Sequence, residues 1–205
     1  ILGKVPSDIQ GITDNVRKDW LKFKDNVEGP WGIIAISLGG MIAMDWCARY
    51  PNDFEKIVTI NSSAGNLSPI TDRFSTDAIK MVGRLFFQND LQKREKEILE
   101  LTLNLREVGA DLIDLYARYA KEYPLNRKSF VSQIFSASKF KIPKVLKQDF
   151  LVLASEKDRL ASWKCSQAIA EHFKKRLYLH PKAGHDLPLD DPDWIIEQMK
   201  TWLTN

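Results

Sequence analysis

Four short runs of apolar, largely β-branched residues punctuate the chain: Gly32–Ile36, residues 57–60, residues 150–154 and Leu177–His180. They are apolar without regular alternation, as expected of strands buried on both faces of a parallel sheet. Around them the apolar residues recur every three or four positions instead. Ile9, Ile12, Val16, Trp20 and Phe23 do so over residues 7–24 and predict a helix there. A second helix is predicted to begin after Ser37 and to stop near Tyr50, because Pro51 cannot continue it. At the end of the chain Asp191 is a candidate N-cap with Pro192 at the first helical position. Ile195, Ile196, Met199, Trp202 and Leu203 form the apolar face that follows. Strands alternating with helices predict an α/β fold built on a mostly parallel sheet.

From about Thr71 to Lys147 this alternation stops. Helical stripes recur, with Ala78, Ile79, Val82, Leu85 and Phe86 in one, and Leu112, Ile113, Leu115, Tyr116 and Tyr119 in another. Phe130, Val131, Ile134 and Phe135 form a third, and no convincing strand lies among them. A long helical excursion between two strands of one sheet reads as an inserted cap. The expected division is therefore a core part at residues 1–70, a helical cap at 71–147 and a second core part at 148–205. Most aromatic positions in the stripes are expected to pack, and a cap over a cleft would turn some of them towards a ligand. The run KREKE at residues 93–97 reads as an exposed helix face.

Composition narrows the function classes. The 205 residues suit one domain carrying a sizeable insertion, and 44% hydrophobic with 28% charged residues is an ordinary globular balance. No apolar run approaches the roughly 20 residues needed to span a bilayer. The net charge of +3 comes from interleaved acidic and basic residues. The cluster at 174–176 (Lys-Lys-Arg) therefore reads as a solvated helix end, and no nucleic-acid partner is expected. Cys47 and Cys165 lie far apart and fit no metal-ligand spacing, which points to free thiols in a reducing, cytoplasmic setting. His172, His180 and His185 form no H-E-x-x-H pattern, so neither a metal site nor a cofactor is expected.

The stretch AISLGG, residues 35–40, carries candidate chemistry. An apolar strand meets Ser37, and Gly39 and Gly40 follow where a helix should start. A serine is a poor nucleophile at neutral pH until a base takes its proton. A sharp strand-to-helix turn would lift its hydroxyl clear of the backbone, with the N–H groups of the following helix aimed at the same point. The alternative is a strand ending in an ordinary Ser N-cap with a glycine-containing first turn. A base and an orienting acid are available downstream. The strand at 150–154 is followed by a polar turn with Glu156 and Asp158, and the strand ending at His180 is followed by a loop with His185. Each lies beyond the carboxyl end of its strand, where open α/β sheets gather their sites. Glu156 competes with Asp158 for the acid role. His180 is less apt than His185 because it still belongs to the strand, and Asp186, Asp190, Asp191 and Asp193 read as loop and helix-start carboxylates.

With AISLGG, LVLASEKDRL and AGH in this order, the chain resembles the α/β-hydrolase family, in particular its small esterase-like or lipase-like members. The resemblance implies Ser37 as nucleophile, Asp158 as triad acid and His185 as base, with the Leu38 N–H in the oxyanion hole. It further implies a small-molecule ester or acyl substrate and no cofactor, and leaves the oligomeric state open. The sequence departs from the family at two points. Position 35 is alanine where G-x-S-x-G has glycine, which requires strand and helix to sit slightly further apart. Only 36 residues precede Ser37, and they read as a loop and one helix, with nothing resembling a His-Gly oxyanion loop. The first predicted strand would then be a sheet edge, so further N-terminal strands are expected to be missing from this chain. A non-catalytic, hydrolase-like binding module is the alternative from a different functional class, and an amide, lactone or thioester hydrolase or an acyltransferase on the same scaffold is the alternative among enzymes.

Overall fold

The computed structural model describes residues 6–24, 26–124 and 127–204. The expectations for residues 1–5 and for the Phe86 side chain lie outside the described residues. Four parallel strands form one sheet in the order β1 (Gly32–Ile36), β2 (Lys56–Ile60), β3 (Asp149–Ser155) and β4 (Leu177–His180). All three pairings are parallel, so every strand ends on the same side of the sheet. β2 and β3 begin one residue before their apolar runs. Lys56 and Asp149 are register partners there, and their side chains pair at 3.2 Å across the strands.

Helices cover both faces. Ile57, Phe150 and Val152 point to one face and pack with Met41, Met44 and Cys47 of α2 (Leu38–Arg49), with Ile9 and Ile12 of α1 (Ile9–Lys24), and with Ile169. Val58, Ile60, Leu151 and Leu153 point to the other face and pack with Ile195. Alternate residues of each central strand thus serve different cores, which is why these runs are apolar apart from the buried Thr59. Burying a side chain such as Leu151 or Leu153 contributes about 1.5–3 kcal/mol. Ile169 belongs to α8 (Lys164–His172), whose inner face of Cys165, Ser166, Ile169 and Ala170 has too few large residues to announce a helix in the sequence. β1 has one hydrogen-bonded neighbour, β2, and Ile34 is 56% exposed on this sheet-edge strand.

Between β2 and β3 run α3 (Ile70–Arg73), α4 (Thr76–Phe87), α5 (Leu91–Thr102), α6 (Ala110–Glu122) and α7 (Arg127–Lys139). Side chains of Ser75 and Asp90 cap α4 and α5 by accepting from the N–H of Ala78 and Lys93. Leu99 and Leu103 pack on Leu112 in a small separate core. The exposed-face expectation for residues 93–97 needs one correction. Glu95 lies one turn from Leu99 on the inner side of α5 and is 8% exposed, with its carboxylate bonded to Arg94. After β4, the short α9 (Leu187–Asp190) leads into α10 (Pro192–Leu203), where the Asp191 carboxylate caps by accepting from the Trp194 N–H at 3.0 Å. Among the described residues no helix is long and apolar enough to cross a membrane.

Candidate active site

Ser37 stands between β1 and α2 with φ 53° and ψ −121°. A non-glycine residue held there is strained by about 1–3 kcal/mol, so neighbouring bonds must hold it. The Ser37 N–H donates to the Ile60 carbonyl at 2.8 Å, extending the β1–β2 ladder into the turn. Its carbonyl accepts from the Gly40 N–H at 3.0 Å and from the Ser62 hydroxyl at 2.9 Å. The Ser37 hydroxyl makes no capping bond to α2, so the ordinary N-cap role does not describe this residue. Leu38 supplies the first N–H of the helix at the same point.

The two glycines differ. A Cβ on Gly40 would lie 2.6 Å from Ser62 Oγ and 2.7 Å from Ser62 Cβ, so this position needs glycine for close approach. A Cβ on Gly39 would sit 3.7 Å from Ala35 Cβ, an ordinary contact. There is therefore room for the alanine at position 35, as its presence in the motif required.

Beyond β3, Asp158 Oδ2 is 2.7 Å from His185 Nδ1. Its other oxygen accepts from the Leu160 and Ala161 N–H groups at 2.7 and 3.1 Å, which fixes the carboxylate's orientation. With Nδ1 bonded to the acid, Nε2 is the ring nitrogen left to act on a substrate. The competing acid, Glu156, pairs with Lys157 at the surface instead. His180 is occupied as well: Nδ1 accepts from the N–H groups of Lys182 and Ala183, which requires the proton on Nε2, facing Asp191 at 3.1 Å. Ser37 and His185 line one cavity of about 530 Å³, whose walls include Met41, Phe74, Met81, Val82, Phe130 and Ile134. No hydrogen bond joins the Ser37 hydroxyl to the imidazole among the described residues.

Residues that the sequence did not single out hold these loops. Asn61, the residue after β2, is buried with φ 48°. Its Oδ1 accepts from the Ser155 N–H at 2.7 Å, while Nδ2 donates to Ser155 Oγ at 3.1 Å and to the His185 carbonyl at 2.8 Å. One side chain thus ties the acid strand to the histidine loop. Asp190 accepts from the N–H groups of Gly184, Asn104, Leu105 and Arg106, joining the end of α5 to the same loop. Burial pushes the Asp190 carboxyl upward, but those N–H groups outweigh it and hold the pKa below the ordinary value. Beside His185, burial raises the pKa of Asp186. The placement of Asn61 directly after an apolar strand was the available sequence signal, since asparagine tolerates the left-handed region. Nothing local marks Asp190 among its neighbouring carboxylates.

Cys47 and Cys165 are free and buried, and burial pushes the Cys47 thiol up to about 12. Among the described residues no group of three or more His, Cys, Asp or Glu could hold a metal ion.

A family model described as "alpha/beta hydrolase fold" matches residues 12–192. No curated protein matches the chain in sequence. Among solved structures, a lipase candidate, Lip1 from Acinetobacter baumannii AYE, aligns with a TM-score of 0.76 and 17% identity, over 100% of this chain and 70% of its own. The esterase EaEST from Exiguobacterium antarcticum aligns at TM-score 0.74 and 13% identity, covering 97% and 75%. The 2-hydroxy-6-oxo-6-phenylhexa-2,4-dienoate hydrolase of Rhodococcus sp. strain RHA1 gives 0.72 and 17%, covering 98% and 74%. At these identities the likeness is one of fold.

Proposed function

Since the chain belongs to the α/β-hydrolase family, matched over residues 12–192, we propose that it is a serine hydrolase cleaving carboxylic esters through an acyl-enzyme intermediate. The observation that carries this reading is the Ser37 backbone. It sits in a left-handed turn with a hydroxyl that caps nothing and lines the same cavity as His185. Strain retained at a cleft needs a purpose, and presenting a nucleophile is the purpose this turn suits.

In the proposed reaction Ser37 Oγ attacks the ester carbonyl carbon while His185 Nε2 takes the hydroxyl proton. Asp158 holds the ring through Nδ1 and stabilises the imidazolium. The Leu38 N–H donates to the developing oxyanion. Collapse breaks the bond to the alcohol, which leaves with the proton from His185. Water, deprotonated by the same nitrogen, then releases the carboxylic acid and regenerates Ser37. That no hydrogen bond joins Ser37 to His185 among the described residues is compatible with this role, because catalytic hydrogen bonds are often loose without substrate. The helices within residues 71–147 act as the cap in this reading, with residues 1–70 and 148–205 as the core. Support comes from α4 and α7, which supply Ala78, Met81, Phe130 and Ile134 to the cavity wall. The apolar wall suits a short-to-medium acyl chain.

Hydrolysis of 4-nitrophenyl butyrate, a matched anilide and a lactone, by the protein and by Ser37→Ala, tests the reading. Ester turnover lost in the variant supports it. Ester binding without turnover, unchanged in Ser37→Ala, would instead mark a binding module.

A further inference from the structure

Arg73, the last residue of α3, is 5% exposed and lines the cavity that holds Ser37 and His185. It is the one permanently charged side chain among the described residues lining that cavity. Buried cations are ordinarily paired with carboxylates, because an ion removed from water loses several kcal/mol of hydration. Arg73 has no such partner: no ion pair forms to it among the described residues. Its Nε–H donates to Ser63 Oγ at 3.3 Å, and Nη1 and Nη2 donate to the carbonyls of Ser138 and Ala137 at the end of α7. These three bonds orient the guanidinium and leave two of its five N–H groups without a protein acceptor. Burial lowers its pKa, with no nearby carboxylate opposing the effect. A group that served only to tie α7 to the loop after β2 would not need a full charge at the wall of a cavity.

Resting on the serine-hydrolase reading, we propose that Arg73 recognises a carboxylate on the part of the ester held in this cavity, so that the substrates are esters bearing a free acid group. One guanidinium matches one singly charged carboxylate, and its planar fork suits that geometry. A phosphate monoester, carrying close to two charges, would leave one charge uncompensated against apolar walls. The remaining wall, with Met81, Val82 and Ile134 among its residues, suits the methylene chain between acid and ester.

The test compares kcat/KM for two matched pairs. Monomethyl adipate against methyl hexanoate places the acid on the acyl side. 6-Acetoxyhexanoate against hexyl acetate places it on the alcohol side. The protein should prefer the acid-bearing member of one pair by at least about tenfold, as expected for a charge-assisted contact in a dry site. In Arg73→Gln that ratio should fall to about one or below, while Arg73→Lys should recover part of it. Isothermal calorimetry with hexanoate, which carries one carboxylate, reads binding without turnover, and Arg73→Gln should weaken it by a similar factor. An equal loss on acid and neutral esters in Arg73→Gln, or a preference for the neutral member of both pairs, would overturn the proposal. If Ser37→Ala retained full hydrolysis, the serine reading would fall, and hexanoate binding would still judge Arg73 by itself.

Discussion

The adjacent glycines at the turn respond to the same substitution with opposite signs. Alanine in a helix is worth up to about 1 kcal/mol over glycine. At Gly39 nothing opposes that gain, because the added methyl would meet Ala35 Cβ at 3.7 Å and the backbone is not left-handed. Gly39→Ala should therefore be neutral or stabilising by up to about 1 kcal/mol. At Gly40 the methyl would lie 2.6–2.7 Å from Ser62 Oγ and Cβ, inside any permitted contact. Overpacking of this kind costs about 1–3 kcal/mol. Moving Ser62 would also break its bond to the Ser37 carbonyl, worth about 0.5–1.5 kcal/mol. After the helical gain, a net loss of about 0.5–3.5 kcal/mol remains for Gly40→Ala. Urea denaturation reads both variants as midpoint shifts at constant slope. Ser62→Gly removes the atoms in the way, so the double variant with Gly40→Ala should lose less than the two single losses combined. A Gly40→Ala protein as stable as the parent, or a Gly39→Ala protein less stable than Gly40→Ala, would refute the packing described around the turn.

Asp158→Asn should lower kcat for ester hydrolysis by about 10³–10⁴-fold with little change in KM, because an amide cannot hold the imidazole in the required tautomer; steady-state kinetics on 4-nitrophenyl butyrate would check this. Asn61→Ala strands the Ser155 N–H and the His185 carbonyl in the interior, so it should lose about 2–4 kcal/mol in urea titration. It should also reduce kcat more than it raises KM. For Asp190, a folded pKa below the ordinary value means stabilisation that is present above the unfolded pKa of about 4 and lost as pH falls through the folded value. Thermal melts across that range should show Asp190→Asn removing this part of the acid sensitivity, and an unchanged acid limb would contradict the role given to the carboxylate.

Much of the fold was legible in the sequence because apolar runs and helical periods report burial directly. β1 and β4 have the predicted bounds, and β2 and β3 gain only end residues. The Lys56–Asp149 pair explains why, since polar residues can extend a strand when their register partner neutralises them. The short α9 and the small-faced α8 left weak signals, because neither shows a repeated large apolar stripe. At the candidate site, Ser37, Asp158 and His185 could be named from the family resemblance of AISLGG, LVLASEKDRL and AGH, and each follows a strand, where a parallel sheet collects such positions at one edge. Asn61 meets the same criterion, but its importance comes from bonds spanning 94 and 124 residues of sequence, which no local pattern encodes. The same holds for Glu95, where a charged residue in a charged run turns inward because α6 packs on that side.

The most direct measurement is treatment of the protein with a fluorophosphonate, followed by peptide mapping by mass spectrometry. The account predicts one phosphonyl adduct on the peptide containing Ser37, formed much more slowly in His185→Ala and absent in Ser37→Ala. An adduct on another residue, or labelling that persists undiminished in Ser37→Ala, would contradict it.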